Sequence, residues 1–133
     1  MEKKRELEYF NIEKRYGGNQ RWMRDWWMHI GGCAALTTCD MLIYCALHRG
    51  RPELYPYDLK NLSRKDYKKF GMYMKLYLQP RKGGIKELST FIDGVRLYLE
   101  DENAGYIKLR ALDGHESFDT AKRSLKEQID EGL

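Results

Sequence analysis

The pattern of apolar positions along the chain predicts four helices and one strand. Residues 33–48 are apolar on almost every side, which is typical of a buried central helix. Apolar residues recur every three or four positions in 63–79, 86–101 and 117–131, which predicts three further helices that each bury one face. Residues 106–112 alternate between apolar and polar, which predicts a half-buried strand.

Local signals mark where the flanking helices begin and end. Ser63 with Asp66 resembles a capping box, and Pro80 ends the helix that follows. The residues expected to face the core are Tyr67, Phe70, Met74, Tyr77 and Leu78 in that helix, Leu88, Phe91, Ile92, Val95 and Tyr98 in the next, and Phe118, Ala121, Leu125 and Ile129 in the last.

The remaining segments lack a helical period. Residues 7–15 predict a short strand or extended arm, and 17–19 predict a turn. Residues 20–30 are aromatic and are predicted to be irregular, and 49–62 are predicted to form a loop. The expected fold class is therefore α+β and mostly helical, in a single domain that covers residues 1–133.

Composition and charge narrow the class of protein. A hydrophobic content of 42% with 13% aromatic residues excludes a disordered chain. No apolar stretch is long enough to span a membrane and no signal peptide is visible, so a cytoplasmic location is expected. The net charge of +4 is spread among acidic residues, which disfavours nucleic-acid binding. Residues 21–27 hold two arginines and three tryptophans that would either stack on bases or pack as an aromatic segment.

The three cysteines are Cys33, Cys39 and Cys45, at intervals of six residues. On a helix their thiols would point about 120° apart, so they can neither share one metal ion nor pair with each other. The sequence also lacks a P-loop, a dinucleotide fingerprint and a zinc-peptidase motif. We therefore expect no cofactor and no metal.

Cys33 follows two glycines at the predicted start of the central helix. The unpaired N–H groups and the dipole of a helix N-terminus stabilise an anion, so a thiol there ionises readily. The glycines leave room for a substrate backbone. Cys39 and Cys45 lie deeper in the helix and are expected to be inert. An alternative is that all three cysteines are small core residues.

The stretch 32–37, Gly-Cys-Ala-Ala-Leu-Thr, resembles the nucleophile helix of papain-like cysteine peptidases. The similarity is closest to the bacterial branch that includes the double-glycine (bacteriocin-processing) peptidases. The order of predicted elements agrees, and residues 121–133 resemble the helix that precedes the sheet of those proteins. The resemblance implies a central nucleophile helix with flanking helices and a short β element. It also implies that the chain ends before the sheet that bears the catalytic base.

The resemblance further implies Cys33 as the nucleophile and an oxyanion-hole glutamine about six residues before it. Trp27 stands at that position, and Gln20 fills the role only if the intervening residues loop out. The family's histidine would follow the last helix, so His115, in the turn after the predicted strand, is the fallback base. His29, four residues before Cys33, is a second imidazole to weigh.

Three functions remain open at this point. The first is a thiol hydrolase that acts on a peptide or acyl substrate, or the N-terminal part of such an enzyme, and whether the chain is active is not decided by its sequence. The second is a non-catalytic binding module of the same fold, which self-associates if an aromatic surface is exposed. The third and least favoured is a small nucleic-acid-associated domain.

Overall fold

The structure is a computed structural model that describes residues 8–80, 87–102, 104, 107, 109 and 117–131. The described part is mostly helical with a small two-stranded antiparallel sheet, as the sequence predicts at that level. Its α-helices are α1 (Trp26–Gly31), α2 (Cys33–His48), α3 (Arg64–Met74), α4 (Leu88–Asp101) and α5 (Phe118–Glu131). Its strands are β1 (Asn11–Ile12) and β2 (Arg15–Tyr16), and short 3-10 helices span Gln20–Trp22 and Pro52–Leu54. None of the helices described is both long enough and apolar enough to cross a bilayer.

The β1–β2 hairpin replaces the single strand or arm predicted for residues 7–15. Asn11 pairs with Tyr16 and Ile12 with Arg15, so the chain reverses within two residues. The reversal places Glu13 in the left-handed region, with φ of 57°. Ile12 is fully buried and attaches the hairpin to the core. The alternation of a two-residue strand is too short to be read from sequence.

Helix α2 has the bounds that the sequence predicts and lies at the centre of the core. Its buried residues are Ala35, Leu36, Thr38, Cys39, Leu42, Ile43, Tyr44 and Ala46. Cys33, Thr37 and Met41 are exposed, and their spacing of four residues makes one stripe along the helix. The helix is therefore covered on every side except the stripe that begins with Cys33.

Helix α3 packs on α2 and begins as the capping signal predicts. The hydroxyl of Ser63 accepts a hydrogen bond from the backbone N–H of Asp66 at 3.1 Å. The face that carries Tyr67, Phe70 and Met74 is buried, as expected. The helix ends at Met74 instead of continuing to Pro80, because the chain then tightens into turns that bury Leu78.

Helix α4 approaches the backbone that follows α3 at a glycine. A Cβ atom at Gly94 would overlap the carbonyl oxygen of Tyr77, so only glycine permits this separation. Tyr98, one turn further on, packs edge-on against Tyr77 with ring centroids 5.4 Å apart. Its buried hydroxyl donates to the carbonyl of Leu54 at 2.9 Å. These contacts join α4 to the loop after α2 and complete the core.

Helix α5 forms where the sequence predicts it, but its apolar stripe faces outward in the described structure. Phe118 is 80% exposed and Leu125 is 62% exposed. The strand predicted for residues 106–112 lies mostly outside the described residues. Two of its members, Ile107 and Leu109, are described and are partly buried against the core.

Candidate functional site

The segment before Cys33 is ordered, so the prediction that residues 20–30 are irregular was wrong. It contains the 3-10 helix Gln20–Trp22 and then α1. Asp25 caps α1, and its Oδ1 accepts the backbone N–H of Met28 at 3.0 Å. Helix α1 has only six residues; Met28 is buried, whereas Trp26 and Trp27 are exposed. So short a helix has no apolar period to recognise.

Asp25 also joins α1 to the residue that follows α3. The Nζ atom of Lys75 donates to Oδ2 of Asp25 at 2.9 Å, and the two side chains are 28% and 26% exposed. The hydrogen bond from Lys75, with that from the amide of Met28, lowers the pKa of Asp25. The sequence offered no partner for Asp25, because Lys75 is 50 residues away. This ion pair fixes the helix that leads into Cys33.

A single residue, Gly32, separates α1 from α2. Its N–H donates to the carbonyl of Met28 at 3.1 Å, and its own carbonyl accepts from Leu36 at 3.0 Å. A Cβ atom on Gly32 would lie 2.5 Å from the Met28 carbonyl oxygen, so glycine is required there. Cys33 therefore begins α2 directly after another helix, and the carbonyl end of α1 adjoins the N–H end of α2. The sequence predicted an N-terminus of α2 that no other helix adjoins, and the structure differs in this respect.

The three thiols differ sharply in their surroundings. Cys33 is exposed, Cys39 is buried and Cys45 is half-buried, and all three are free. Burial raises the pKa of Cys39 well above its usual range and raises that of Cys45 as well. This agrees with the prediction that the two deeper cysteines are inert. Cys33 is the cysteine that a dissolved reagent or substrate can reach.

Gln20 lies at the junction, although it is thirteen residues before Cys33 in sequence. Its side-chain amide donates to the carbonyl oxygen of His29 at 2.8 Å. His29 stands four residues before Cys33, so this hydrogen bond ties Gln20 to the helix that precedes the cysteine. The side chain of Asn19 accepts from the N–H of Arg21 and caps the 3-10 helix that carries Gln20.

His29 is the imidazole at the Cys33 end of α2 among the described residues. Its Nδ1 lies 3.2 Å from the carbonyl oxygen of Met23, which can only accept, so Nδ1 carries the hydrogen in this contact. The Nε2 atom of the neutral ring is then a proton acceptor. His48 ends α2 at its far end and pairs with Glu8 at 2.8 Å. His115, the base named from sequence, lies outside the described residues.

An apolar groove opens between α1 and the end of α3, with a volume of about 430 Å³. Its lining residues are Trp27, Met72, Lys75, Leu76, Gln79 and Pro80. The Asp25–Lys75 ion pair lies at one side of it, since Lys75 belongs to both. Exposed Ile30 lies between Trp27 and Cys33 along the chain. The groove was not predicted, because its two walls are about 45 residues apart in sequence.

Among the residues that the structure describes, no group of three or more His, Cys, Asp or Glu side chains could hold a metal ion. No model of a known protein family matches the chain, and no curated protein or solved structure is significantly similar to it. The resemblance to papain-like peptidases therefore stays a prediction.

Proposed function

We propose that the protein is a thiol hydrolase of the papain-like kind, in which Cys33 attacks the carbonyl carbon of a peptide or acyl substrate. The observation that carries this proposal is the contrast among the cysteines. The exposed thiol stands at the first residue of the central helix, while Cys39 is buried and Cys45 is half-buried. A buried thiol with a raised pKa is a poor nucleophile. Cys33 is therefore the best candidate for the nucleophile among the three cysteines.

The reaction would proceed in two stages. An imidazole takes the thiol proton of Cys33 as sulfur bonds to the carbonyl carbon, and the carbonyl oxygen becomes an oxyanion. The oxyanion collapses, and the leaving group departs with the proton from the imidazolium. Water then attacks the resulting thioester with the same imidazole as base, which releases the acid and restores the thiol.

Two histidines compete for the role of base. The contact with Met23 leaves Nε2 of His29 as an acceptor one turn before Cys33, which supports His29. His115 is the alternative that the sequence favours, and its variant has to be tested beside that of His29. Gln20 is the candidate oxyanion donor that the resemblance implies, and the hydrogen bond from its amide to the carbonyl of His29 ties it to the helix before Cys33. The apolar groove beside α1 suits an apolar acyl chain or side chain of the substrate.

The test is turnover of an activated thioester with an apolar acyl group by the full chain. Cys33→Ala should reduce turnover to the background rate, whereas Cys45→Ala, the matched control, should keep it. His29→Gln and His115→Gln then identify the base, since the variant that lacks it loses kcat with little change in KM. If Cys33→Ala and the wild-type protein turn over substrate equally, the hydrolase proposal is wrong.

A second function is favoured by the exposed apolar surface on α1 and the end of α3. Trp26, Trp27 and Leu76 are all exposed there, which is typical of a binding surface. In this alternative the fold is a non-catalytic interaction module, and self-association is the simplest outcome. Sedimentation velocity over a range of protein concentration tests it, with Leu76→Ser expected to shift the protein towards monomer. Concentration-independent sedimentation of wild type as a monomer would contradict self-association.

A further inference from the structure

The side of the molecule formed by the hairpin and the start of α3 contains a second groove, of about 510 Å³. We call it the arginine groove; its lining includes Arg15, Tyr16, Asn19, Arg21, Trp22 and Arg64. These residues come from β2, the first 3-10 helix and the first residue of α3. Three arginines therefore line one concavity, although the net charge of the whole chain is only +4.

One of the three arginines is held in place by its neighbours. The guanidinium carbon of Arg64 lies 4.6 Å from the ring centre of Trp22. Its Nε is 3.5 Å from Oε2 of Glu13, and its backbone N–H donates to the same oxygen at 3.0 Å. Trp22 is held in turn by the edge-on ring of Tyr67, at 5.7 Å. The wall that presents Arg64 is thus built before any ligand arrives.

The other two arginines have no acidic partner among the described residues. The side chains of Arg15 and Arg21 make no ion pair or hydrogen bond in the part of the chain that the structure describes. The nearby acids do not neutralise them, since Glu13 is engaged by Arg64. Asp40 lies under the turn, where it accepts the N–H of Gly18 at 3.1 Å and makes no ion pair with Arg15 or Arg21. Within the described part of the chain, Arg15 and Arg21 therefore each bring to the groove a positive charge that no acidic side chain pairs with.

We infer that the arginine groove binds a small phosphate-bearing ligand of the nucleoside diphosphate class. A guanidinium group binds phosphate oxygens in pairs, and Arg15 and Arg21 together can bind more oxygens than one carboxylate offers. The volume lies in the range of about 300 to 1,000 Å³ that is typical of small-ligand pockets. The ring of Tyr16 is 76% exposed at the edge of the groove and offers a planar surface for a base. This inference does not depend on the proposed hydrolase activity, because no residue of the junction takes part.

The amides of the adjoining turn are not expected to contribute. The N–H of Gly17 donates to the carbonyl of Phe10 and that of Gly18 donates to Asp40, so neither is free to bind a phosphate. Side chains must therefore supply the binding, with the amide group of Asn19 as the remaining polar donor in the lining. This makes the inference testable by substitutions of surface side chains that leave the backbone unchanged.

The experiment is isothermal titration of the full chain with ADP and, separately, with inorganic pyrophosphate. Arg15→Gln and Arg21→Gln should each weaken ADP binding by about tenfold or more, since each removes one charge-assisted contact. Arg24→Gln is the matched control, because Arg24 is an exposed arginine of the same segment outside the groove. It should bind ADP as the wild type does. Thermal melts of all three variants confirm that they remain folded.

Comparison of ADP with pyrophosphate distinguishes the contribution of the phosphates to binding from that of the base on the ring of Tyr16. Equal affinity for pyrophosphate and ADP would show that the phosphates alone are bound, and tighter binding of ADP would show that the ring of Tyr16 contributes; both support the inference. Binding should weaken as salt rises from about 0.05 to about 0.3 M. The inference is overturned if neither ligand binds, if Arg24→Gln weakens binding as much as Arg21→Gln, or if a single-stranded oligonucleotide binds while ADP does not.

Discussion

The ion pair between Asp25 and Lys75 is the contact that we expect to set the stability of the Cys33 junction. Asp25 performs two tasks, since it caps α1 through Met28 and pairs with Lys75 after α3. Two substitutions separate these tasks. Asp25→Ala removes both contacts, whereas Asp25→Ser keeps a capping hydroxyl and removes the ion pair. Lys75→Met removes the ion pair from the other side and leaves the cap in place.

The size of each effect follows from the geometry. Loss of an aspartate cap costs about 1 kcal/mol. The ion pair has a separation of 2.9 Å and is about three-quarters covered, so we place it near the upper end of the range for surface pairs, about 1 kcal/mol. Asp25→Ala should therefore destabilise the fold by about 2 kcal/mol, and Asp25→Ser and Lys75→Met by about 1 kcal/mol each. For a chain of this length, 2 kcal/mol corresponds to a fall in Tm of about 6 to 10 °C.

The effect of Asp25 should depend on pH with a definite sign. Because the pKa of Asp25 is lowered in the folded state, its stabilisation is fully present above the unfolded-state pKa of about 3.9. It is lost as the pH falls through the lower, folded-state value. Urea unfolding at pH 7 and near pH 3 measures this for wild type and Asp25→Ser. The difference in unfolding free energy between the two should shrink at the lower pH.

Two results would refute this reasoning. If Asp25→Ser and Lys75→Met both unfold at the wild-type midpoint at pH 7, the ion pair contributes nothing. If the double variant Asp25→Ser with Lys75→Met loses the full sum of the single effects, the two side chains do not act together. If the two side chains do form an ion pair, the double variant should lose little more free energy of unfolding than either single variant.

Three further predictions concern the core. Gly18→Ala should destabilise the fold by about 1 to 3 kcal/mol, because the added Cβ would overlap the buried ring of Tyr67; an unchanged denaturant midpoint would contradict this. Tyr98→Phe should cost about 1 to 2 kcal/mol in the same assay, because it removes the buried donor to Leu54. A wild-type midpoint would show that this hydrogen bond contributes nothing. Under native conditions Cys39 should resist alkylation until the protein unfolds, so labelling as fast as that of an exposed thiol would show the core to be open.

The helices were predictable from sequence where burial imposes a pattern over many residues. Helix α2 was recognised because nearly all its sides are apolar, and its bounds follow from the glycines before it and the polar loop after it. The buried face of α3 was also found, since a helix against a core repeats every three or four residues. The face of α4 was found in part: Val95 and Tyr98 are buried, but Leu88 was expected in the core and is exposed, because it is the first residue of the helix. The outward-facing stripe of α5 shows the limit of this reasoning. A periodic stripe predicts a helix but does not say what covers it.

The site was less predictable, because it depends on contacts between distant parts of the chain. Cys33 was identified from its place after two glycines. Gln20 was named as well, but the sequence contains no signal that shows how the chain would bring it towards Cys33. The partner of Asp25 and the walls of both grooves come from segments far apart in sequence, which no spacing rule connects. Helix α1 was missed because it is only six residues long and its aromatic side chains are exposed, so its apolar residues do not mark the buried face of a helix.

The central claim is that Cys33 forms a covalent bond with an acyl group. The most direct measurement is mass spectrometry of the protein quenched in acid during turnover of an activated thioester, followed by digestion. We expect an acyl group on the peptide that carries Cys33, which appears within the first turnover and disappears when substrate is exhausted. Cys45→Ala should show the same adduct, and Cys33→Ala should show none. If the protein acquires no acyl group, or acquires it equally on surface lysines, Cys33 is not the nucleophile of a hydrolase.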